Sequence, residues 1–336
     1  MRWLPRRIQA GVIMPIYIAR KTLKAIADKM YEDQGASFRQ WSGKIMPHMD
    51  DAWRGEEEPF RSHMGASLIG RECARFVWLS WHWAYKTMFD GRMLRLFNRG
   101  HMEEARFLAM LAMIGVKVAN QDENGKQYRI SGAGGHFGGS GDGMSFGLPD
   151  LKPGTIALLE FKTHGTKSFT KLAGSSWTNY VDELVAGREG HFNGKGVKEA
   201  KPEHYVQMQC YMKKMGYPVC LYAAVCKETD AVYMELVPLD DATAERYLDL
   251  AERLVVSEEP PRRIGNSPGF YGCKFCDMRL VCHKIVPPAK NCRTCVHAVP
   301  IMGNGEWGCK KDGTIIPKAK QFIGCTEYTV NPRIIE

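Results

Sequence analysis

The spacing of the cysteines constrains this chain more than any other feature of its sequence. Three of them follow the pattern Cys273-x2-Cys276-x5-Cys282 between two Pro-Pro pairs, and a second set begins soon afterwards with Cys292-x2-Cys295. Cysteines two residues apart in loops are typical of metal ligands. A secreted chain with eleven cysteines would be expected to form disulfides, whereas metal-binding thiolates are typical of a reducing compartment. We therefore expect a cytoplasmic protein, bacterial or in an infected host cell, whose fold depends on bound metal.

The second cysteine set predicts a small C-terminal module over residues 287–336. Cys292, Cys295, Cys309 and Cys325 lie in a short, Gly-rich stretch with few apolar residues. Such a stretch cannot bury much apolar surface, so a zinc-ribbon-like module that needs Zn²⁺ to fold is the favoured interpretation. His297 is an alternative to one of the thiolates, and four free surface cysteines are the simpler alternative to a metal site.

The first cysteine set requires a fourth ligand. One candidate is Cys73, which lies about two hundred residues upstream on a predicted helix. The alternative is that Cys73 is an ordinary buried helix residue, in which case His283 would have to complete the site. If Cys73 is the ligand, the metal closes a very long loop and restricts the unfolded chain much as a cross-link does.

Length, composition and charge set the broad class. The 336 residues are enough for one large domain and a smaller module, and 44% hydrophobic with 25% charged residues exclude wholesale disorder. A net charge of +9 permits a polyanionic partner, and no apolar run is long enough to cross a bilayer. Residues 1–62 are predicted to be a basic, helical N-terminal segment. Translation beginning at Met14 is an alternative to Met1.

The order of predicted elements indicates an α/β fold. Helices are predicted at 17–31, 67–87, 99–114, 202–215 and 241–256, and strands at 127–131, 155–163, 219–226 and 231–237. This order implies a mixed central β-sheet flanked by helices. Residues 164–201 are predicted to be a long loop or lid. Cys220 and Cys226 alternate along one strand face and are predicted, with Cys210, to be core residues.

Two acids and a lysine are predicted to meet at the end of an apolar strand. Glu160 and Lys162 lie on one face of the strand because side chains alternate with a period of two. Asp142, in a Gly-rich turn upstream, can reach the same place. Carboxylates hold divalent cations, and a lysine beside them can stabilise developing negative charge. The alternative is a solvated strand face without catalytic function.

Further residues surround this trio in the sequence. Gly100 is followed four residues later by Glu104 at the start of a helix, whereas Glu103 is predicted to be a solvated acid on the other helix face. Gln207 and Tyr211 are four apart and therefore share a helical face. Their alternative is an ordinary half-buried helix surface.

Taken in order, these motifs resemble the PD-(D/E)XK nucleases, in particular the RecB-like and lambda-exonuclease-like branch, which includes phage-encoded members. The resemblance spans a predicted nuclease domain over residues 63–286 with a restriction-endonuclease-like core. It implies that Asp142, Glu160, the Phe161 carbonyl and Glu104 bind Mg²⁺ or Mn²⁺. It also implies that Lys162 orients or activates water and that Gln207 and Tyr211 contact DNA phosphate or organise the site. Glu104 stands where many RecB relatives have histidine.

The first cysteine set resembles the AddB-type iron–sulfur clasp, which also occurs in nucleases of CRISPR adaptation. One cysteine before the core and three after it, with x2 and x5 spacing, match that pattern. The resemblance implies a 4Fe-4S cluster, with zinc as the alternative metal. Its ligands would be Cys73, Cys273, Cys276 and Cys282.

The resemblance implies a metal-dependent DNA exonuclease, or a nuclease that processes DNA ends or flaps, in recombination, replication or repair. Expected partners are single-stranded DNA or DNA ends and a recombination or replication protein, but no membrane. Basic and aromatic residues of the 164–201 loop are candidate DNA contacts: Lys167, Lys171, Arg188, Lys195, Lys198, Lys201, Trp177, Tyr180 and Phe192. The alternatives are a CRISPR-type end-trimming nuclease and a non-catalytic DNA-binding scaffold that retains the fold.

Overall fold

A six-stranded mixed sheet forms the centre of the protein. The computed structural model describes residues 15–53, 58 and 60–335, and the predictions about residues 1–13 and Met14 lie outside that part. The strands are β1 (Tyr17–Ile18), β2 (Met64–Gly65), β3 (Lys117–Ala119), β4 (Arg129–Gly132), β5 (Phe137–Ser140), β6 (Gly143–Phe146), β7 (Ile156–His164), β8 (Val219–Cys226), β9 (Val232–Pro238), β10 (Ala298–Ile301) and β11 (Glu306–Cys309). The central sheet has the order β1-β9-β8-β7-β6-β3. β7 and β8 run parallel, and the other neighbouring pairs run antiparallel.

Helices cover both faces of this sheet. They are α1 (Arg20–Glu32), α2 (Ala36–Ile45), α3 (Asp50–Trp53), α4 (Ala66–Ile69), α5 (Ala74–Trp81), α6 (Gly91–Met113), α7 (Thr166–Ala173), α8 (Trp177–Val185), α9 (Gly196–Ala200), α10 (Pro202–Met215), α11 (Asp241–Val256), α12 (Arg279–Cys282), α13 (Lys318–Gln321) and α14 (Pro332–Ile335). On one face, Phe107 of α6 stacks on Phe161 of β7 with ring centroids 4.9 Å apart. The other face lies under α10. The predicted mixed sheet flanked by helices is confirmed.

Two smaller sheets lie outside the central one. β2, β5 and β4 form a three-stranded sheet, and β10 and β11 form a hairpin. Every residue of β8 is buried, as is Cys210 on α10, so the prediction that Cys210, Cys220 and Cys226 are core residues is confirmed. No helix in the described ranges combines the length and apolar composition needed to cross a membrane.

The single helix predicted at 67–87 was wrong, because the chain forms the two short helices α4 and α5. The break follows Gly70, where an added Cβ would lie 2.8 Å from Cβ of Val206, so α4 and α10 pack too closely for a larger residue. Cys73 occupies the N-cap position of α5 with extended backbone. The second helix ends at Trp81, and Trp83 beyond it has a φ of 57°.

The prediction that residues 164–201 form one long loop or lid was wrong, because this stretch contains the helices α7, α8 and α9. Trp177 and Tyr180 are 3% and 4% exposed, and Trp177 donates a hydrogen bond to the carbonyl of Val232 in β9. Three of the basic residues are ion-paired: Arg188 with Glu183, Lys195 with Glu199 and Lys198 with Asp240. Trp177 and Tyr180 are therefore core residues, and the prediction that they stack on DNA bases was wrong.

The C-terminal cysteine-rich segment packs directly against α5. Arg293 is 2% exposed, and its guanidinium carbon lies 3.7 Å from the Trp83 ring centroid. It also donates to the carbonyl of Trp81 over 3.1 Å. Trp307 from β11 contacts the rings of Trp81 and His82, with centroid distances of 4.8 Å and 5.4 Å. One aromatic cluster therefore joins this segment to the helix that follows Cys73.

His82 in this cluster makes stability depend on pH. Its Nδ1 lies 2.9 Å from the Trp78 carbonyl, which can only accept, so Nδ1 carries the hydrogen. Burial, with the nearby charges of Arg293 and His136, lowers the pKa of His82 to about 3. The unfolded chain has an ordinary histidine pKa, so between these two values it binds more protons than the folded protein. Stability is therefore lost as the pH falls through this window.

We expect the free energy of unfolding to drop by about 2 kcal/mol between pH 7.5 and pH 5 through His82 alone. Urea unfolding of the wild type and of His82→Phe at both pH values measures this. The variant should show a smaller difference between the two pH values. An identical pH dependence in both proteins would mean that His82 is not held neutral by the fold.

Candidate active site

The predicted trio Asp142, Glu160 and Lys162 comes together at β7. Asp142 lies in the turn between β5 and β6, and its Oδ2 accepts the backbone N–H of Phe161 over 2.6 Å. Glu160 is fully buried, and Lys162 is ion-paired with its Oε1. The Lys162 ammonium also donates to the Phe161 carbonyl over 3.1 Å. Antiparallel pairing of Gly143 with Leu159 is what brings the Asp142 turn to this part of β7.

Glu104 on α6 joins this group electrostatically. Burial raises the pKa of Glu104, and the charge of Asp142 raises it further. Burial and the charges of Asp142 and Glu104 raise the pKa of Glu160 to about 7, although the lysine opposes the shift. Burial alone would lower the pKa of Lys162, but the neighbouring carboxylates more than offset it and raise this pKa. Nδ1 of His101 lies 3.5 Å from Oε1 of Glu104.

The prediction that Glu103 is a solvated acid was wrong. Its side chain is buried, and Arg106 donates to it over 3.1 Å. Arg106 also pairs with Asp230, in the turn between β8 and β9, over 2.9 Å. Burial raises the pKa of Glu103. This acid therefore contributes to the packing of α6 against the sheet, while Glu104, one residue later, faces the trio.

Helix α10 lies over the same cluster. Gln207 and Tyr211 are 7% and 2% exposed, and the Tyr211 hydroxyl interacts with the Gln207 side chain. Burial, then the charges of Glu160 and Asp142, raises the pKa of Tyr211. A Cβ added at Gly139 would overlap the Tyr211 hydroxyl, so this glycine makes room for it. The two side chains predicted from their spacing thus lie beside the carboxylates rather than on an outer helix surface.

The oxygens of this site fit a divalent cation. Glu160 Oε2 is buried and has no hydrogen-bond partner among the described residues. Two of the predicted ligand oxygens, Glu160 Oε1 and the Phe161 carbonyl, already converge on one cation, the Lys162 ammonium. Three carboxylates and one ammonium leave an excess of negative charge that a divalent cation would balance. Within the described ranges, however, no three His, Cys, Asp or Glu side chains are already gathered as a set that could hold a metal ion.

The four cysteines of the predicted clasp line one cavity. Cys73, at the start of α5, meets Cys273, Cys276 and Cys282 there, and His283 lines the same cavity. Burial, with the nearby Cys282 and Cys273 thiols, raises the pKa of Cys73. Burial is also the main cause that raises the pKa of Cys276 to about 11. Thiolates are the usual ligands of iron–sulfur clusters and of zinc, but among the described residues these thiols line a cavity without forming a set that could hold a metal ion.

The four cysteines of the second set also line a single cavity. Cys292, Cys295, Cys309 and Cys325 line a separate cavity, to which His297 also contributes. The pKa of Cys292 is raised by burial and by the charges of the other three thiols. Zinc is commonly held by four such thiolates, but among the described residues these four line a cavity without forming a set that could hold a metal ion.

One residue of the site was missed by sequence reasoning. His204 lies on α10, three residues before Gln207 and seven before Tyr211, which places it on the same helical face. Its Nδ1 is 2.9 Å from the hydroxyl of Tyr222, the residue that pairs with Glu160 across β7 and β8. The helical spacing from Gln207 was the signal that could have identified it.

Comparison with known proteins gives low overall similarity. Neither a protein-family model nor a curated protein matches this chain. The structure of SSO0001 aligns with a TM-score of 0.32 at 15% identity, covering 71% of this chain and 93% of that one. The alkaline exonuclease LHK-Exo from Laribacter hongkongensis aligns with a TM-score of 0.32 at 15% identity over 64% of this chain and 90% of that one. Its complex with dAMP gives 0.31, with the same identity and coverage.

Proposed function

We propose that this protein is a divalent-metal-dependent deoxyribonuclease that hydrolyses phosphodiester bonds, acting at DNA ends or flaps. The observation that carries the proposal is the buried group of Asp142, Glu160 and Glu104 around Lys162, with one Glu160 oxygen left without a partner. Acids collected in this way destabilise a fold, so their presence is best explained by a cation and an anionic substrate. The net charge of +9 favours a polyanion such as DNA.

Each residue has a distinct part in this proposal. Asp142, Glu160, the Phe161 carbonyl and Glu104 would hold the cation. When bound, Mg²⁺ or Mn²⁺ supplies a Lewis acid that activates water and stabilises charge on the phosphate. The Lys162 ammonium has three donors and no acceptor, so it can donate to a phosphate oxygen or orient water once the cation satisfies Glu160. Gln207 and Tyr211, which lie beside these carboxylates on α10, would contact DNA phosphate or organise the site.

We also propose that the two cysteine sites are structural. An iron–sulfur cluster at Cys73, Cys273, Cys276 and Cys282 would tie α5 to the segment after α11, and zinc would hold the C-terminal segment. The aromatic cluster around Trp307 connects these two regions through α5. Both metals would therefore stabilise the same helix.

The proposed function is tested with end-labelled single- and double-stranded DNA. Protein dialysed against buffer without divalent cations should leave both substrates intact, and adding Mg²⁺ or Mn²⁺ should release labelled fragments. Ca²⁺ is the matched control, because carboxylates also bind it but its coordination shell has more ligands and a less regular geometry than that of Mg²⁺. Intact DNA under every condition, together with DNA binding in a gel-shift assay, would instead favour the non-catalytic scaffold.

A further inference from the structure

A chain of five hydrogen-bonded side chains lies beside the candidate active site. Lys201 donates to Oγ of Ser168, which lies 3.4 Å from Nδ1 of His164. Nε2 of His164 lies 2.9 Å from the Tyr222 hydroxyl, and Nδ1 of His204 lies 2.9 Å from the same hydroxyl. The proposed reaction does not use any of these five side chains. Their connection nevertheless runs without a break from Lys201 to His204.

This series of hydrogen-bonded side chains lies on the same face of the central sheet as Glu160. His164 follows Glu160 and Lys162 on β7 at a spacing of two, so the three side chains point to the same side. Tyr222 pairs with Glu160 in the parallel ladder. His204 reaches the face from α10. His204 contacts Tyr222, which pairs with Glu160, so the hydrogen-bonded chain ends next to the strand that carries the carboxylates.

Each hydrogen bond in this series of side chains can be donated either towards His204 or towards Lys201, and the Lys201 ammonium selects the first of these directions. An ammonium can only donate, so Ser168 accepts from Lys201 and its own hydrogen is free to point to Nδ1 of His164. The positive charge of Lys201 is the main electrostatic influence on His164, and it favours a lone pair at the near nitrogen. In the opposite direction, Nδ1 of His164 would carry a hydrogen that points to Ser168 and therefore towards the positive charge of Lys201.

This direction decides the tautomer of His204. His164 then donates from Nε2 to the Tyr222 oxygen, and Tyr222 donates its hydrogen to Nδ1 of His204. The hydrogen of His204 must therefore be on Nε2. Burial, followed by the charge of Lys201, lowers the pKa of His164 to about 3. Burial, followed by the charge of Lys162, lowers the pKa of His204 to about 2, so both rings are neutral. The Tyr222 hydroxyl engages Nδ1 of His204, so Nε2 is the ring nitrogen left to donate elsewhere.

We propose that the chain from Lys201 to His204 holds His204 with its hydrogen on Nε2, so that this neutral ring donates a hydrogen bond to a phosphate oxygen of the DNA strand bound at Lys162. The proposal rests on the nuclease function proposed above. It assigns His204 as a substrate-binding residue, and His164 and Tyr222 as positioning residues that act through it. A neutral donor beside Lys162 adds a directional contact to phosphate without adding a second charge next to the ammonium.

The tautomer can be measured without any turnover. Long-range ¹H–¹⁵N correlation spectra of protein with ¹⁵N-labelled histidine rings distinguish the two ring nitrogens. We expect the hydrogen of His204 on Nε2, with the signal assigned by its loss in His204→Gln. Tyr222→Phe keeps the ring and removes the hydroxyl, so His204 should become a mixture of tautomers. A wild-type His204 with its hydrogen on Nδ1 would overturn the proposal, whatever the activity of the protein.

The phosphate contact is tested by DNA cleavage kinetics. We expect His204→Phe to lower kcat/KM by about tenfold or more, the usual effect of losing a hydrogen bond to a charged group. His204→Gln should recover most of this, because its amide can donate from near the position of Nε2. The exposed His191 provides the matched control, and His191→Phe should cleave like the wild type. Unchanged kcat/KM in His204→Phe would contradict the contact.

Binding measured with a single-stranded oligonucleotide in Ca²⁺ adds an independent readout. His204→Phe should weaken binding equally at all salt concentrations, since a neutral donor releases no counterion from DNA. A charged contact would instead lower the salt slope by about one when removed. A lower slope in His204→Phe would therefore overturn the assignment of a neutral donor. If the wild type and Glu160→Gln cleave DNA equally, the assignment of the nuclease site to β7 fails, while the tautomer measurement still decides the direction of the hydrogen-bonded chain.

Discussion

Replacing Glu160 by glutamine is expected to abolish DNA cleavage while leaving the fold intact. The side chain is fully buried between Asp142, Lys162 and β8, and glutamine has nearly the same shape. The substitution removes the charge from the carboxyl group that, in our proposal, contributes most directly to cation binding. Losing one such electrostatic group in an active site typically costs about 10²–10³ in rate. We therefore expect Mg²⁺-dependent release of labelled nucleotides to fall by about a thousandfold.

The same substitution should not destabilise the protein. Burial and two neighbouring acids raise the pKa of Glu160 to about 7, so above that pH the ionised carboxylate is less favourable in the folded chain than in the unfolded chain. Glutamine removes this cost and also the charge that pairs with Lys162, so the two effects oppose each other and the free energy of unfolding at pH 8 should change little. Loss of activity without loss of stability would separate a catalytic role from a structural one.

Glu183→Gln is the matched control for this experiment. Glu183 carries the same side chain on α8, where it is exposed and paired with Arg188. Its replacement should change neither the cleavage rate nor the stability by a measurable amount. If Glu160→Gln cleaves DNA as fast as Glu183→Gln, the assignment of the catalytic site to β7 is wrong.

The second large effect is expected from removing one cysteine of the clasp. Cys282→Ala should release the metal bound with Cys73, and α5 would then lose its tie to a segment about two hundred residues away. Cross-links that close long loops contribute about 2–5 kcal/mol, and metal binding energy is shared with folding. We expect the free energy of unfolding to fall by about this amount.

Metal analysis and spectroscopy measure the clasp directly. Anaerobically purified wild-type protein should absorb near 400 nm and contain about four iron and about one zinc per chain. The iron and the colour should disappear in Cys282→Ala, whereas the zinc at Cys292 and its partners should remain. A colourless wild type that contains only zinc would overturn the iron–sulfur assignment without affecting the four-cysteine site.

Cys220→Ala is the control for loss of a buried sulfur. Cys220 is fully buried in β8 and does not line either cysteine cavity. Its replacement leaves a small cavity, which costs about 1 kcal/mol and should leave the metal content unchanged. If Cys282→Ala and Cys220→Ala have the same metal content and stability, then Cys282 is a core residue rather than a ligand.

Local periodicity in the sequence was sufficient to predict several elements of the site. Alternation along β7 places Glu160 and Lys162 on one face, because side-chain direction in a strand follows from the backbone alone. The same holds for Gln207 and Tyr211 on α10, and helix α11 begins and ends where the sequence predicts. The spacing groups Cys273 with Cys276 and Cys282, and Cys292 with Cys295, as the two cavities do, whereas Cys73 was assigned from the resemblance.

Long-range packing decided the features that sequence reasoning missed or misplaced. Residues 166–200 contain enough polar and glycine residues to look like a loop, yet Trp177 is buried because β9 supplies an acceptor for its indole. Glu103 and Glu104 are adjacent in sequence, and only the position of Arg106 and its partner Asp230 determines which acid is neutralised within the packing of α6. The i,i+3 spacing of Glu103 and Arg106 indicates the pair, but only the contact of Arg106 with Asp230 shows that this side of α6 packs on the sheet.

The sequence by itself determined which residues share a face of a strand or helix and which neighbouring cysteines go together, because these follow from backbone geometry and spacing over a few residues. Only the tertiary structure decided what each face meets. It brings the Asp142 turn onto the N–H of Phe161, places His204 against Tyr222, and seats Trp307 on Trp81. Such contacts depend on how distant segments fill a common core, so their burial and charge cannot be calculated before the fold is known.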